Sequence, residues 1–124
     1  MTTQIKVVHL ADFVRARPKG MLDLATGERL LGDIAEAAES LEEFEVLIDT
    51  RDSANVLSPA DVWMLAATLA RYRETFSHKT AILCPEDRFD RARFFAIVAA
   101  NKGFHNFRAF QSYEEAMEWL TKPS

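Results

Sequence analysis

Cysteine is nearly missing from this 124-residue chain: Cys84 stands alone, so no disulfide can close within it, which fits a reducing compartment. Glycine and proline are scarce, four of each, and no stretch has the composition of a flexible linker, a low-complexity tract or an internal repeat. Long apolar runs are lacking. The longest, Phe94 to Ala100, has seven residues, against the ~20 that a membrane-spanning helix needs. A basic excess is lacking as well: 15 Lys+Arg face 19 Asp+Glu, a net charge of −4, whereas neutralised phosphates drive nucleic-acid binding. The opening Met-Thr-Thr-Gln-Ile-Lys has neither the basic start nor the apolar core of a secretory signal. A cytoplasmic protein is expected, with no integral membrane segment and no nucleic-acid partner, though peripheral contact with a membrane stays open.

Motifs of catalysis are missing too. There is no G-x-G-x-x-G, P-loop, H-E-x-x-H or G-x-S-x-G. His9, His78 and His105 show no ligand spacing, so no metal is expected, and no cofactor. No nucleophile–base pair is visible, and the chain reads as a non-enzyme.

What remains is an ordinary globular mixture, about half apolar and a quarter charged, of a size that builds one core. A single domain is expected over residues 1–124. Ile5 to Leu10 is short and β-branched, a strand. Phe13 to Ala16 reads as a second, with Ala11-Asp12 as the turn and Pro18 as its end. Leu30, Ile34, Ala38 and Leu41 then fall on one stripe of a helix from about Thr26 to Leu41. Val46-Leu47-Ile48, closing on Asp49, has the continuous apolar character of a strand buried on both faces. Ser58-Pro59-Ala60-Asp61 announces a helix to about Thr75: a capping hydroxyl, a proline at the first position, an acid in the first turn. Its inward face is Val62, Leu65, Ala66, Leu69 and Phe76.

Thr80 to Cys84 is another buried strand, stopped by Pro85. A helix from about Asp87 to Lys102 ends at Gly103, suited to a left-handed cap. Phe107 to Phe110 is the last strand. Ser112 and Glu115 form a capping box before a closing helix whose stripe is Tyr113, Ala116, Met117 and Leu120. The order β-β-α-β-α-β-α-β-α predicts an α/β domain: a mostly parallel, mixed sheet of four to five strands, an antiparallel N-terminal edge and about four helices.

Residues 46–65, VLIDTRDSANVLSPADVWML, resemble the central segment of STAS domains, the fold of bacterial anti-sigma-factor antagonists such as SpoIIAA. Asp49 matches the strand-end Asp of that family, and Ser58 stands where its phosphorylated Ser would be. Leu57 replaces the Asp that precedes it. CPEDRF, NKGF, FRAF and EEAMEWL are similar to the broader SpoIIAA-like group, related in fold to CRAL-TRIO lipid-transfer domains. The resemblance implies a regulatory module that works by binding a protein partner or a second copy of itself, as a homodimer, with Ser58 as a phospho-acceptor. Its alternative is a carrier of a lipid or small apolar ligand, or a peripheral membrane protein.

In open α/β sheets ligands gather beyond the carboxyl ends of the strands. Two loops leave such ends. Asp49 to Ser58 offers Asp49, Arg51, Ser53, Asn55 and Ser58 for binding, and Cys84 to Phe89 offers Arg88. Each has a plainer reading: Ser58 as a helix cap, Asp49 as the organiser of a turn, Glu86 and Asp87 as caps, Cys84 as a small buried hydrophobe. Trp63 is the remaining candidate. With Ala67 and Ala70 it flanks the buried stripe of its helix, and Phe94 to Ala100 is apolar all round, more apolar surface than one stripe needs.

Overall fold

The computed structural model describes residues 2–8 and 13–122. The Ala11-Asp12 turn and the expected Leu10 end of the first strand lie outside those residues. β1 (Thr2–Val8) runs antiparallel to β2 (Phe13–Leu22), with Ile5 opposite Ala16. β3 (Glu45–Asp49), β5 (Thr80–Leu83) and β6 (Phe107–Phe110) are added in parallel, giving the order β1-β2-β3-β5-β6. The mixed α/β architecture and the antiparallel edge are as expected.

Strands added in one direction through crossovers of one hand place every crossover helix on the same face. So it is here. α1 (Leu24–Ala38), the helical arm that begins as α2 (Pro59–Thr68), and α4 (Phe89–Asn101) share one face with Val14, Ala16, Val46, Ile48, Ile82, Cys84 and Phe107. α5 (Tyr113–Thr121) follows the last strand and covers the opposite face, over Phe13, Leu47, Ala81, Leu83 and Phe110. The period of two along each strand sorts these sets. Burying each large side chain contributes roughly 1.5–3 kcal/mol, and Ile34, Leu47, Leu69 and Phe76 are fully buried.

Several boundaries differ from the sequence reading. β2 runs past Pro18, its expected end, to Leu22. β3 pairs with β2 only over Phe13 to Ala16, and a short strand, β4 (Ser53–Asn55), pairs with Gly20 to Leu22. Pro18 lies between the two partners. Gly20 directs its N–H toward Asp52 O at 3.4 Å, and Pro18, two residues earlier, faces the same edge, where no strand waits for the N–H it lacks. Gly20, at φ 90°, makes the jog from one partner to the other.

α1 starts two residues before Thr26, because Asp23 caps it: Asp23 accepts from the Thr26 N–H at 2.9 Å and the Thr26 hydroxyl accepts from the Asp23 N–H at 2.9 Å. The arm from Pro59 tightens into a 3₁₀ turn at Leu69–Tyr72 and closes with α3 (Arg73–Phe76), so one expected helix is three contiguous segments. A 3₁₀ turn, Glu86–Arg88, precedes α4; no side chain caps either, so Glu86 and Asp87 complement the helix dipole rather than capping. Ser112 caps α5 by accepting from the Glu115 N–H at 3.3 Å, but Glu115 does not return the bond; the Ser112 hydroxyl donates instead to Glu114 at 3.1 Å. Gly103 adopts φ 95°, the left-handed end foreseen for α4.

Candidate functional site

The polar loop after β3 is divided by the sheet. Asp49 has the parity of Leu47 and faces the α5 side. It is 4% exposed and accepts from the Arg51 N–H, from Arg51 Nε at 2.9 Å and from Arg51 Nη2 at 2.8 Å. Arg17, brought alongside by β2, approaches Asp49 to 3.7 Å and donates to Asp52 at 2.8 Å. Burial pushes the Asp49 carboxyl upward, but the hydrogen bonds from Arg51 and the charges of Arg51 and Arg17 outweigh it, and the group titrates below the usual carboxylate range. Arg51 is held protonated by the same contact, its pKa raised.

The rest of the loop turns to the other face. The Ser53 hydroxyl donates to Thr50 O, and Asn55 Oδ1 accepts from the Leu57 N–H at 2.8 Å, an Asx turn. Ser58 is the N-cap of α2, accepting from the Asp61 N–H at 3.1 Å, while Asp61 accepts from the Ser58 N–H at 3.1 Å. This is the capping arrangement expected, and it leaves the Ser58 side chain exposed.

On this face the carboxyl ends of β3 and β5 form the floor of a cavity of ≈80 Å³, walled by Leu30 and Leu31 of α1, Val62 and Leu65 of α2, and Ala92 and Phe95 of α4. Arg88, at the end of the 3₁₀ turn, and Arg91 of α4 line it and reach β4. Arg88 donates from Nη1 to Ser53 O, and Arg91 donates from Nη1 to Asn55 O at 2.9 Å. Arg88, Ser53 and Asn55, named from sequence on two separate loops, thus meet at one place. Asp49 and Arg51 sit across the sheet from them. The Cys84 thiol lines the cavity and donates to Phe110 O at 3.5 Å. Burial pushes its pKa up, against the pull of Arg88, so it is a protonated, weakly nucleophilic thiol.

Arg17 and Arg91 were missed. Arg17 joins Asp49 through strand pairing over a separation that no motif spans. Arg91 had a signal: it lies three residues after Arg88, the spacing that places two side chains on one helix face.

Trp63 stands apart from the cavity. It is 46% exposed on the outer flank of α2, with the ammonium of Lys102 5.1 Å from its ring centre. Beneath it Val62, Ala66 and Val98 seal α2 against α4. Met64, Phe94 and Ile97 are also exposed, at 56%, 36% and 55%. Part of the run Phe94–Ala100 is therefore buried, and part is surface.

No family model matches the chain, and no curated protein matches it. A solved structure does: an uncharacterized protein of the DUF3478 family with a SpoIIAA-like fold, from Shewanella loihica PV-4. The two superpose with a TM-score of 0.59 at 21% identity, over 96% of this chain and 92% of the other. The chain has a SpoIIAA-like fold. In that fold the cavity sits beyond the strand ends, where the topology places ligands, and Trp63 lies on the helix that Ser58 caps. Among the described residues no cluster of His, Cys, Asp and Glu is arranged to hold a metal, and no helix is long and apolar enough to cross a membrane.

Proposed function

We propose that this SpoIIAA-like domain is a non-enzymatic regulatory module that acts by protein association through the outer flank of α2 and α4. The observation that carries this reading is the half-exposed Trp63 of α2, with Met64 exposed on the same helix and Phe94 and Ile97 exposed on α4, which packs against it. Tryptophan concentrates binding energy where its ring can be desolvated by a partner. The charged groups of the loop after β3 support it differently, since Asp49 and Arg51 neutralise each other within the chain. A second copy of the chain is the first partner to test. Sedimentation of the purified protein over a concentration series should show a reversible monomer–dimer equilibrium, and a monomer at every concentration would overturn self-association.

A second reading has its own observation. The cavity beside Cys84 is walled mainly by aliphatic and aromatic side chains, which supports binding of a small apolar ligand. Native mass spectrometry separates the readings: a bound small molecule favours the second, a dimer the first.

A further inference from the structure

The cavity is apolar inside and cationic at its rim. Leu30, Leu31, Ile48 and Ile82 line the interior. At the rim Arg88 and Arg91 stand one helical turn apart, and each has one Nη1–H engaged, by Ser53 O and Asn55 O. A guanidinium carries five N–H donors, so most have no partner among the described residues. Neither arginine has a carboxylate within ion-pair distance among the described residues; Asp49 and Asp52 of the β3 loop pair instead with Arg17 and Arg51 on the other face of the sheet. Asn55 adds donors of the same kind. Its Oδ1 is taken by the Leu57 N–H, and its amide NH₂ has no partner among the described residues.

A purely apolar guest would leave these donors to water. An anion would take them, and a carboxylate matches the planar fork of arginine. We propose that the cavity binds a short-chain carboxylate, its chain among Leu30, Leu31, Ile48 and Ile82 and its carboxylate between Arg88 and Arg91. This rests on the small-ligand reading above and adds the charge and size of the ligand. An engineered apolar cavity of ~150 Å³ accepts benzene. The ≈80 Å³ here therefore suits a chain of about three or four carbons. Long acyl chains do not fit it.

The test uses the full chain, titrated with straight-chain carboxylates of two to eight carbons and with the matching primary alcohols. Binding is followed by calorimetry and by the methyl resonances of Leu30, Ile48 and Ile82. Affinity should rise about fourfold per added methylene until the cavity is filled, then level off or fall. Alcohols of equal length should bind about tenfold more weakly. Arg91→Gln should remove that preference for the carboxylate while leaving alcohol binding unchanged. Arg91→Lys, which keeps the charge without the fork, should fall between and serves if the Gln variant unfolds. Alcohols binding as well as acids would overturn the carboxylate site and leave the apolar cavity standing. Affinity independent of chain length, with silent methyl resonances, would reduce the contact to a surface arginine and overturn the proposal. No binding by either series would overturn both.

Discussion

Arg51 folds back on Asp49, two residues before it, through a two-pronged pair: Nε to Oδ1 at 2.9 Å and Nη2 to Oδ2 at 2.8 Å. Its own backbone N–H adds a third bond to the same carboxylate at 3.1 Å. The strand end and the turn after it are thereby tied into one unit. Asp49 is buried while the Arg51 side chain stays 45% exposed, so solvent weakens the charge attraction more than the hydrogen-bond geometry suggests. The most polar corner of the loop is built around its own ion pair.

A pH dependence follows from Asp49. Its folded pKa is depressed, so its contribution to stability is present above the unfolded value of about 4 and is lost as pH falls through the lower folded value. Asp49→Asn should cost about 1–3 kcal/mol at neutral pH and should flatten the acid limb of stability against pH. Urea unfolding between neutral pH and about pH 3 checks both. An acid limb unchanged in the variant would show that other carboxylates control it.

Ser58 gives a sharper test of local structure. Ser58→Ala removes the acceptor for the Asp61 N–H and should destabilise the chain by ~1 kcal/mol, as N-cap losses do. Ser58→Asp restores an acceptor and should recover most of that loss, reduced by repulsion from the Asp61 carboxylate beside it. If Ser58 is phosphorylated, the same crowding applies to the phosphate. Chemical denaturation of the two variants side by side distinguishes them, and equal losses would mean that the cap contributes little.

Gly103 closes α4 at φ 95°, where a Cβ is strained by the following carbonyl. Nothing blocks the space itself: a Cβ there would meet only the flexible end of Arg73, at 3.9 Å. Gly103→Ala should therefore cost about 1–2 kcal/mol through backbone strain alone, and Gly103→Asn about half as much, since Asn tolerates this region. Thermal unfolding checks the order Gly, Asn, Ala. Equal stability of the Ala and Asn variants would point to lost packing instead.

Much of this was legible in the sequence because it depends on near neighbours. The β3, β5 and β6 strands, the Ser58 cap and the Gly103 terminus are written in runs of four to six residues. The length of β2 was not, since the meaning of Pro18 depends on which strands stand opposite it. β4 is three residues, Ser-Ala-Asn, with no apolar β-branched signal, and they become a strand only by pairing with Gly20 to Leu22. The candidate site shows the same limit. Period-two alternation does place Asp49 opposite Ile48 in the sheet, yet the polar loop read as one set from Asp49 to Ser58. Arg17 reached Asp49, and Arg88 reached Ser53, across 32 and 35 residues of chain. Only the fold brings them together.

Trp63 bears most directly on function. A fully buried aromatic cut to alanine costs about 3–5 kcal/mol. Trp63 is half exposed and lies outside the sealed seam of Val62, Ala66 and Val98, and the ammonium of Lys102 lies over its ring. Trp63→Ala should therefore cost the monomer only about 1 kcal/mol, from lost partial burial and the cation–π contact. If the outer flank of α2 and α4 is where the domain associates, the same variant should weaken association at least tenfold. Ile97→Ala should do so less, and Met21→Ala, more exposed than either but on β2, should not. Sedimentation and thermal unfolding on the three variants give both numbers for each. Trp63→Ala unfolding far below the others, with association intact in the folded fraction, would assign the ring to the core and leave the flank without a role.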